Sequence, residues 1–269
     1  MYQLGFSTIG CPDYDVDQII QIALDTKLHG IELRFVNGTI DILGQEAFTS
    51  GVAETRRKFE DAGLTIVAVD SSARLGSLDR DVAAQQIEVA RANIALAEAL
   101  GAAFVRVFGG AAPELTGGDA ELDVIAQDLD LVARESRDRG VTTLIEAHDI
   151  YSTSDRLADL YERGASDALG ILWDTLHTYR FGETPADSWK RIGAHVQHVH
   201  LKDASTADRD GFELVLTGEG IVPIADILGV LREADYGGYV HFEWEKGWRR
   251  QLAEPEVAFP HFAEYMARV

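Results

Sequence analysis

The chain has 269 residues, of which 46% are apolar and 26% charged, and its 45 acidic residues against 24 basic ones leave a net charge of −21. That mixture suits a globular protein with a large core and excludes extended disorder, while the charge repels nucleic acid and anionic membranes at long range. No apolar run is long enough for a membrane span, the opening "MYQLGFSTIG" lacks the basic segment of a signal peptide, and Cys11 is alone, so a cytosolic protein bound to neither nucleic acid nor membrane is expected.

In chain order, short apolar runs recur at "YQLGFS" (2–7), "GIELRF" (30–35), "LTIVAVD" (64–70), "AAFVRVFGG" (102–110), "TTLIEAH" (142–148), "LGILWD" (169–174), "VQHVHLKD" (196–203) and "GYVHFEW" (238–244). Between the third and fourth, Ala83, Ile87, Ala90, Ile94 and Ala97 recur at steps of four and three, which predicts an amphipathic helix. After the fourth, Leu122, Ile125, Leu129 and Val132 repeat that spacing, with Gly140 placed to stop the helix. Pro223 is placed to open a further helix, where its missing N–H costs least, and Gly237 and Gly238 follow its end. Nearly continuous apolar strands alternating with helices predict a parallel sheet buried on both faces. A chain of about 250 residues with such units is expected to close into a (β/α)8 TIM barrel, here a single α/β domain over 1–269. An open doubly wound sheet is the alternative, but no GxGxxG follows the first strand.

In such a barrel the functional groups gather at the C-terminal ends of the strands. Four successive strands end in Glu146 ("LIEAHD"), Asp174 ("LGILWD"), His200 ("HVHLKD") and Glu243 ("HFEWE"). Any one of them alone reads as a helix N-cap or a solvated loop residue. Together they read as a site for a hard-to-borderline divalent cation, because three carboxylates buried close together need one. The polar stretch "LHTYRFGE" behind Asp174, with His177 in it, reads as a loop at the mouth. His198 and His241 share strand faces with His200 and Glu243, and read as hydrogen-bonded interior residues or as ligands or their orienters. Asp149 and Asp203 read as caps of the segments that follow them, and Glu245 as a partner for Lys246 or Arg249.

At these residues the chain resembles the xylose-isomerase-like TIM barrels, in particular the sugar (phosphate) isomerase/epimerase superfamily with its ketose 3-epimerases, inosose isomerases and dehydratases. "GEG" at 218–220 and "YGGYVHFE" at 236–243 resemble that family's approach to strand eight. The resemblance implies one divalent metal held by Glu146, Asp174, His200 and Glu243, with Mn²⁺ placed before Mg²⁺, Co²⁺ or Zn²⁺. It also implies a small sugar or cyclitol as substrate, and leaves open association into a homo-oligomer.

A metal-bound keto-polyol loses the proton beside its carbonyl when a base is at hand. Glu146 and Glu243 are the expected catalytic pair, one removing and one returning the proton; a dehydratase would use the same base and expel a β-hydroxyl. His177, Lys202, Arg106, Arg34, His148 and Trp244 are the expected substrate contacts, with Trp248, Phe108 and Phe35 as further walls. The two arginines read first as balance for an acidic mouth and only second as a grip on a substrate carboxylate, phosphate or hydroxyl. The glycine-rich 108–119 segment reads as a βα loop able to act as a lid. The net charge predicts that neutral sugars outperform their phosphates. A phosphodiesterase with a multinuclear site, or a sugar-binding barrel without catalysis, fits these residues less well.

Overall fold

A computed structural model describes residues 2–110 and 118–269. The eight apolar runs form parallel strands: β1 (Gln3–Ser7), β2 (Gly30–Leu33), β3 (Thr65–Arg74), β4 (Phe104–Phe108), β5 (Thr142–Glu146), β6 (Leu169–Asp174), β7 (Val196–Leu201) and, later in the chain, Tyr239–Phe242. They close into a barrel because the first strand pairs on one side with the second, Gly5 beside Gly30, and on the other with the last, Gln3 beside Tyr239. A two-stranded antiparallel ribbon, β8 (Asp203–Ala207) with β9 (Phe212–Val215), rises from the mouth and makes the last barrel strand β10.

The surrounding helices are α1 (Val16–Thr26), α2 (Val52–Asp61), α3 (Arg80–Leu100), α4 (Asp119–Arg137), α5 (Ser154–Glu162), α6 (Thr175–Arg180), α7 (Pro185–Ile192), α8 (Ile224–Glu233) and α9 (Pro255–Met266). Helix α3 buries Ala83, Ile87, Ala90, Ile94 and Ala97 on the face that the spacing predicts, starts on the Asp79 carboxylate and ends where Gly101 turns left-handed at φ 74°. Leu122, Ile125, Leu129 and Val132 of α4 are buried likewise, and Gly140, at φ 74°, lies just beyond its end. Pro223 stands one residue outside α8 rather than at its first position. Among the described residues no helix is long and apolar enough to cross a membrane. Residues 111–117, the middle of the expected lid segment, lie outside the described residues.

Candidate metal centre at the barrel mouth

Strands β5, β6, β7 and the residue after β10 deliver Glu146, Asp174, His200 and Glu243 to one point. All four are buried, and one donor atom from each lies within 4.8 Å of the others, so the group can hold a metal ion. Asp174 serves two purposes at once. Its Oδ1 accepts from the backbone N–H of Leu176 (3.0 Å) and His177 (3.3 Å), which starts α6, so the polar stretch behind it is a short capped helix rather than a loop. Its Oδ2 faces the Lys202 ammonium at 2.7 Å and Glu146 Oε2 faces Arg106 at 3.3 Å, while His200 Nδ1 is buried without a well-aligned hydrogen bond. Three buried carboxylates converging on one imidazole nitrogen form a donor set that a divalent cation fits.

His200 is aimed from behind by Glu32, which comes across the barrel from β2 and is fully buried. The Nε2 of His200 lies 2.8 Å from Glu32 Oε2, and the Nε2 of His198 lies 2.9 Å from the same oxygen. With Nε2 directed at Glu32, Nδ1 faces Glu243 Oε2 at 3.4 Å and Glu146 Oε1 at 3.7 Å. Burial disfavours the imidazolium, but Glu32, Glu243 and Glu146 outweigh it and hold it well above its ordinary pKa, so a metal at Nδ1 would displace a proton. His241 packs its Nδ1 3.6 Å from Glu32, its ring lodged against Gly5 and Gly30 where any Cβ would collide with it. Burial alone raises the Glu32 carboxyl, but His200, His198 and His241 outweigh it and hold it well below the usual carboxylate range. Glu32 was not among the residues expected from the sequence, and neither was Asp70, which lies against Arg106. The only signal was a charge inside the apolar runs "GIELRF" and "LTIVAVD".

Lys202 places its ammonium 2.7 Å from Asp174 Oδ2 and 2.8 Å from Glu245 Oε1, and also pairs with Glu243. Burial disfavours that charge, but Asp174, Glu243 and Glu245 hold the lysine well above its ordinary pKa. The open space beside this cluster is a cavity of about 100 Å³, lined by Ile9, Arg34, Arg106, Phe108, Glu146, His148, Lys202, Phe212, Glu243, Glu245 and Trp248. It therefore takes in Glu146 and Glu243 with the unexpected Glu245, both Arg34 and Arg106, Lys202 and His148. Burial depresses the His148 imidazole, but its bond to Asp149 and the charge of Glu146 outweigh that and raise it. His177 sits behind His148, ring centres 4.4 Å apart, and is not part of the cavity wall; burial, His148 and Lys202 keep it well below its usual pKa.

Other expectations shift. Trp244 is 2% exposed, stacks on Phe242 and donates its indole N–H to the Ala253 carbonyl, so it belongs to the packing behind β10 and not to the cavity. Its place on the wall is taken by Trp248, with Phe35 behind it at 4.9 Å, and by Phe212 of the unforeseen ribbon. Asp149 pairs with Arg74 and His148 rather than capping a helix. Asp203 gathers the backbone N–H groups of Ala204, Gly218, Gly220 and Val222, fixing the "GEG" turn. Glu245 pairs with Arg249 and Lys202, while Lys246 turns to Glu254.

The family model described as the xylose isomerase-like TIM barrel matches residues 20–266. An inosose dehydratase of Geobacillus kaustophilus (strain HTA426) is 25% identical over 169 residues, 56% of this chain and 52% of that protein. The chain thus spans little more than half the length of the curated relatives it matches, 52–60% for two of them. Among solved structures, L-ribulose 3-epimerase superposes with a TM-score of 0.81 at 17% identity, over 100% of this chain and 94% of that one. The IolI protein with a bound zinc atom superposes with a TM-score of 0.84 at 15% identity, over 99% and 97%.

Proposed function

From a chain that belongs to the xylose isomerase-like TIM barrel family, we propose a divalent-metal-dependent isomerase or epimerase that removes and returns the proton beside the carbonyl of a keto-sugar or cyclitol. The observation that carries this reading is the convergence of Glu146, Asp174, His200 and Glu243, with two of them, Glu146 and Glu243, also forming the cavity wall. A divalent ion bound there, Mn²⁺ in the first instance with Mg²⁺, Co²⁺ or Zn²⁺ fitting the same donors, supplies Lewis-acid polarisation of the carbonyl. The zinc in the IolI structure supports a divalent ion at this kind of site.

The remaining work falls to side chains. Glu146 and Glu243 arrive from strands separated by β6 and β7 around the mouth, so each addresses a different side of a molecule in the cavity. One takes the proton and the other gives one back; return on the opposite face gives epimerisation. Lys202, held by Asp174 and Glu243, is placed to neutralise charge that develops on a substrate oxygen. A second reading, dehydration, is favoured by His148: a cavity-lining imidazole with a raised pKa is suited to protonate a departing hydroxyl.

Deuterium uptake from D₂O into a panel of ketoses and inososes with Mn²⁺, followed by NMR, tests the reading. Glu146→Gln and Glu243→Gln are each expected to lower turnover roughly 10²–10⁴-fold, with epimerisation losing exchange on a different face in each variant. Loss of water from an inosose would select dehydration. Near-native exchange in both variants would refute the two-carboxylate mechanism.

A further inference from the structure

We infer that the substrate of this mouth carries a carboxylate, gripped by Arg34. The inference deepens the proposed function and rests on its placing the substrate in the same cavity.

Arg34, directly after β2, lines the cavity and is only 6% exposed. Its hydrogen bonds among the described residues run through Nη1, to the Asp70 carbonyl (3.0 Å) and Ser72 Oγ (2.9 Å). Neither acceptor is charged. Among the described residues no carboxylate lies within the 4.0 Å of an ion pair with it. Burying such a cation is costly: burial and the neighbouring Arg106 bring its pKa down to about 9, against the opposing fields of Asp70, Glu146 and Glu243.

Arg106, 2% exposed on β4, is already paired, its Nη2 3.3 Å from Asp70 Oδ2 and its Nη1 3.3 Å from Glu146 Oε2. The ring of Phe108 lies 4.0 Å from its guanidinium carbon and that of Trp248 5.9 Å from the one of Arg34. A guanidinium faced by a ring still offers its in-plane N–H fork, the geometry that a planar carboxylate matches with two parallel bonds. The other cations here are already committed: Arg106 to Asp70 and Glu146, Lys202 to Asp174, Glu243 and Glu245, and Arg249 to Glu245. The cavity wall thus has a carboxylate side, where a keto-polyol meets its bases, and an arginine side on which Arg34 keeps N–H groups without an acceptor among the described residues. A monocarboxylate matches those open N–H groups, and a compact sugar acid or hydroxylated ring acid carries one beside the hydroxyls that the opposite wall addresses.

The test compares binding of gluconate and quinate with that of gluconamide and quinate methyl ester, by calorimetry on the full chain with and without Mn²⁺. At least one acid is expected to bind tenfold or more tightly than its uncharged counterpart, in both conditions. Arg34→Gln should abolish that preference while Mn²⁺ affinity and the circular dichroism of the fold are retained; Arg34→Lys, which keeps the charge and loses the fork, should restore part of it. Equal binding of acids and uncharged counterparts, an undiminished preference in Arg34→Gln, no binding by either acid, or tighter binding of ribulose 5-phosphate than of both acids would overturn the inference. Because the preference is read without metal as well, failure to bind Mn²⁺ would count against the metal-dependent reading alone. Deuterium exchange into neutral ketoses with no preference for acids would spare that reading and refute this one.

Discussion

At the scale of single residues, the far side of His200 matters as much as the side that faces the carboxylates. Glu32 accepts from His200 Nε2 and thereby decides which nitrogen keeps its lone pair for a metal. Glu32→Gln keeps the volume but offers one acceptor oxygen and an amide that competes for the wrong tautomer. Such partners of metal-binding histidines are typically worth about 10–100-fold in affinity, so calorimetric titration with Mn²⁺ should show a loss of that order in a chain that remains folded. An unchanged Kd would mean that Glu32 is ordinary interior packing. Of this constellation, the four strand-end residues are legible in the sequence because each closes an apolar run, a purely local signal. Glu32 is not, because its meaning depends on which residues lie across the barrel, and those are more than 160 positions away.

At the scale of elements, the barrel strands and the helices α3, α4 and α8 are legible because burial imposes a period on each. Helix α6 and the β8–β9 ribbon are not. The first begins only because Asp174 caps it, so the same polar residues that look like a loop become a helix once that oxygen is in place. The second is held by a turn whose amides converge on Asp203, and neither feature leaves a hydrophobic period. The strands themselves carry a prediction. A Cβ on Gly5 would meet the Gly30 carbonyl oxygen at 2.2 Å and His241 Nε2 at 2.4 Å. Since β1 and β2 are pinned by their ladder, Gly5→Ala has no cheap escape and should destabilise by about 1–3 kcal/mol or more, visible as a lowered Tm. Gly229 in α8 has open space around its would-be Cβ, so Gly229→Ala serves as the control and should stabilise by about 0.5–1 kcal/mol. Equal Tm values for wild type and Gly5→Ala would show that the His241 ring is not tightly held.

At the scale of the whole molecule, the metal-free barrel stores an electrostatic conflict at its mouth. Burial is the main reason that the Asp174 carboxyl is pushed up to about 7; Lys202 opposes the shift, and Glu243 and Glu146 add to it. A carboxyl whose folded pKa lies above its unfolded value of 3.8 contributes stability that is complete below that value and is lost as the pH rises through about 7. Asp174→Asn keeps the cap acceptor and removes the titration. In chelator-treated protein it should therefore gain on wild type between pH 5 and pH 8, by about 2–3 kcal/mol, as read from calorimetric melts. A constant difference across that range would place the Asp174 titration elsewhere. The bridge from Glu32 to β7 and β10 has one more consequence, which concerns the order in which the molecule is made. Glu32 leaves the ribosome 166 residues before His198, an interval on the order of ten to thirty seconds at ordinary elongation rates. Throughout that time the amino-terminal half carries an acid destined for a dry interior and has nothing to neutralise it. Nascent chains of this protein should therefore remain open at the second strand, as clients for chaperones, until the last third of the polypeptide arrives.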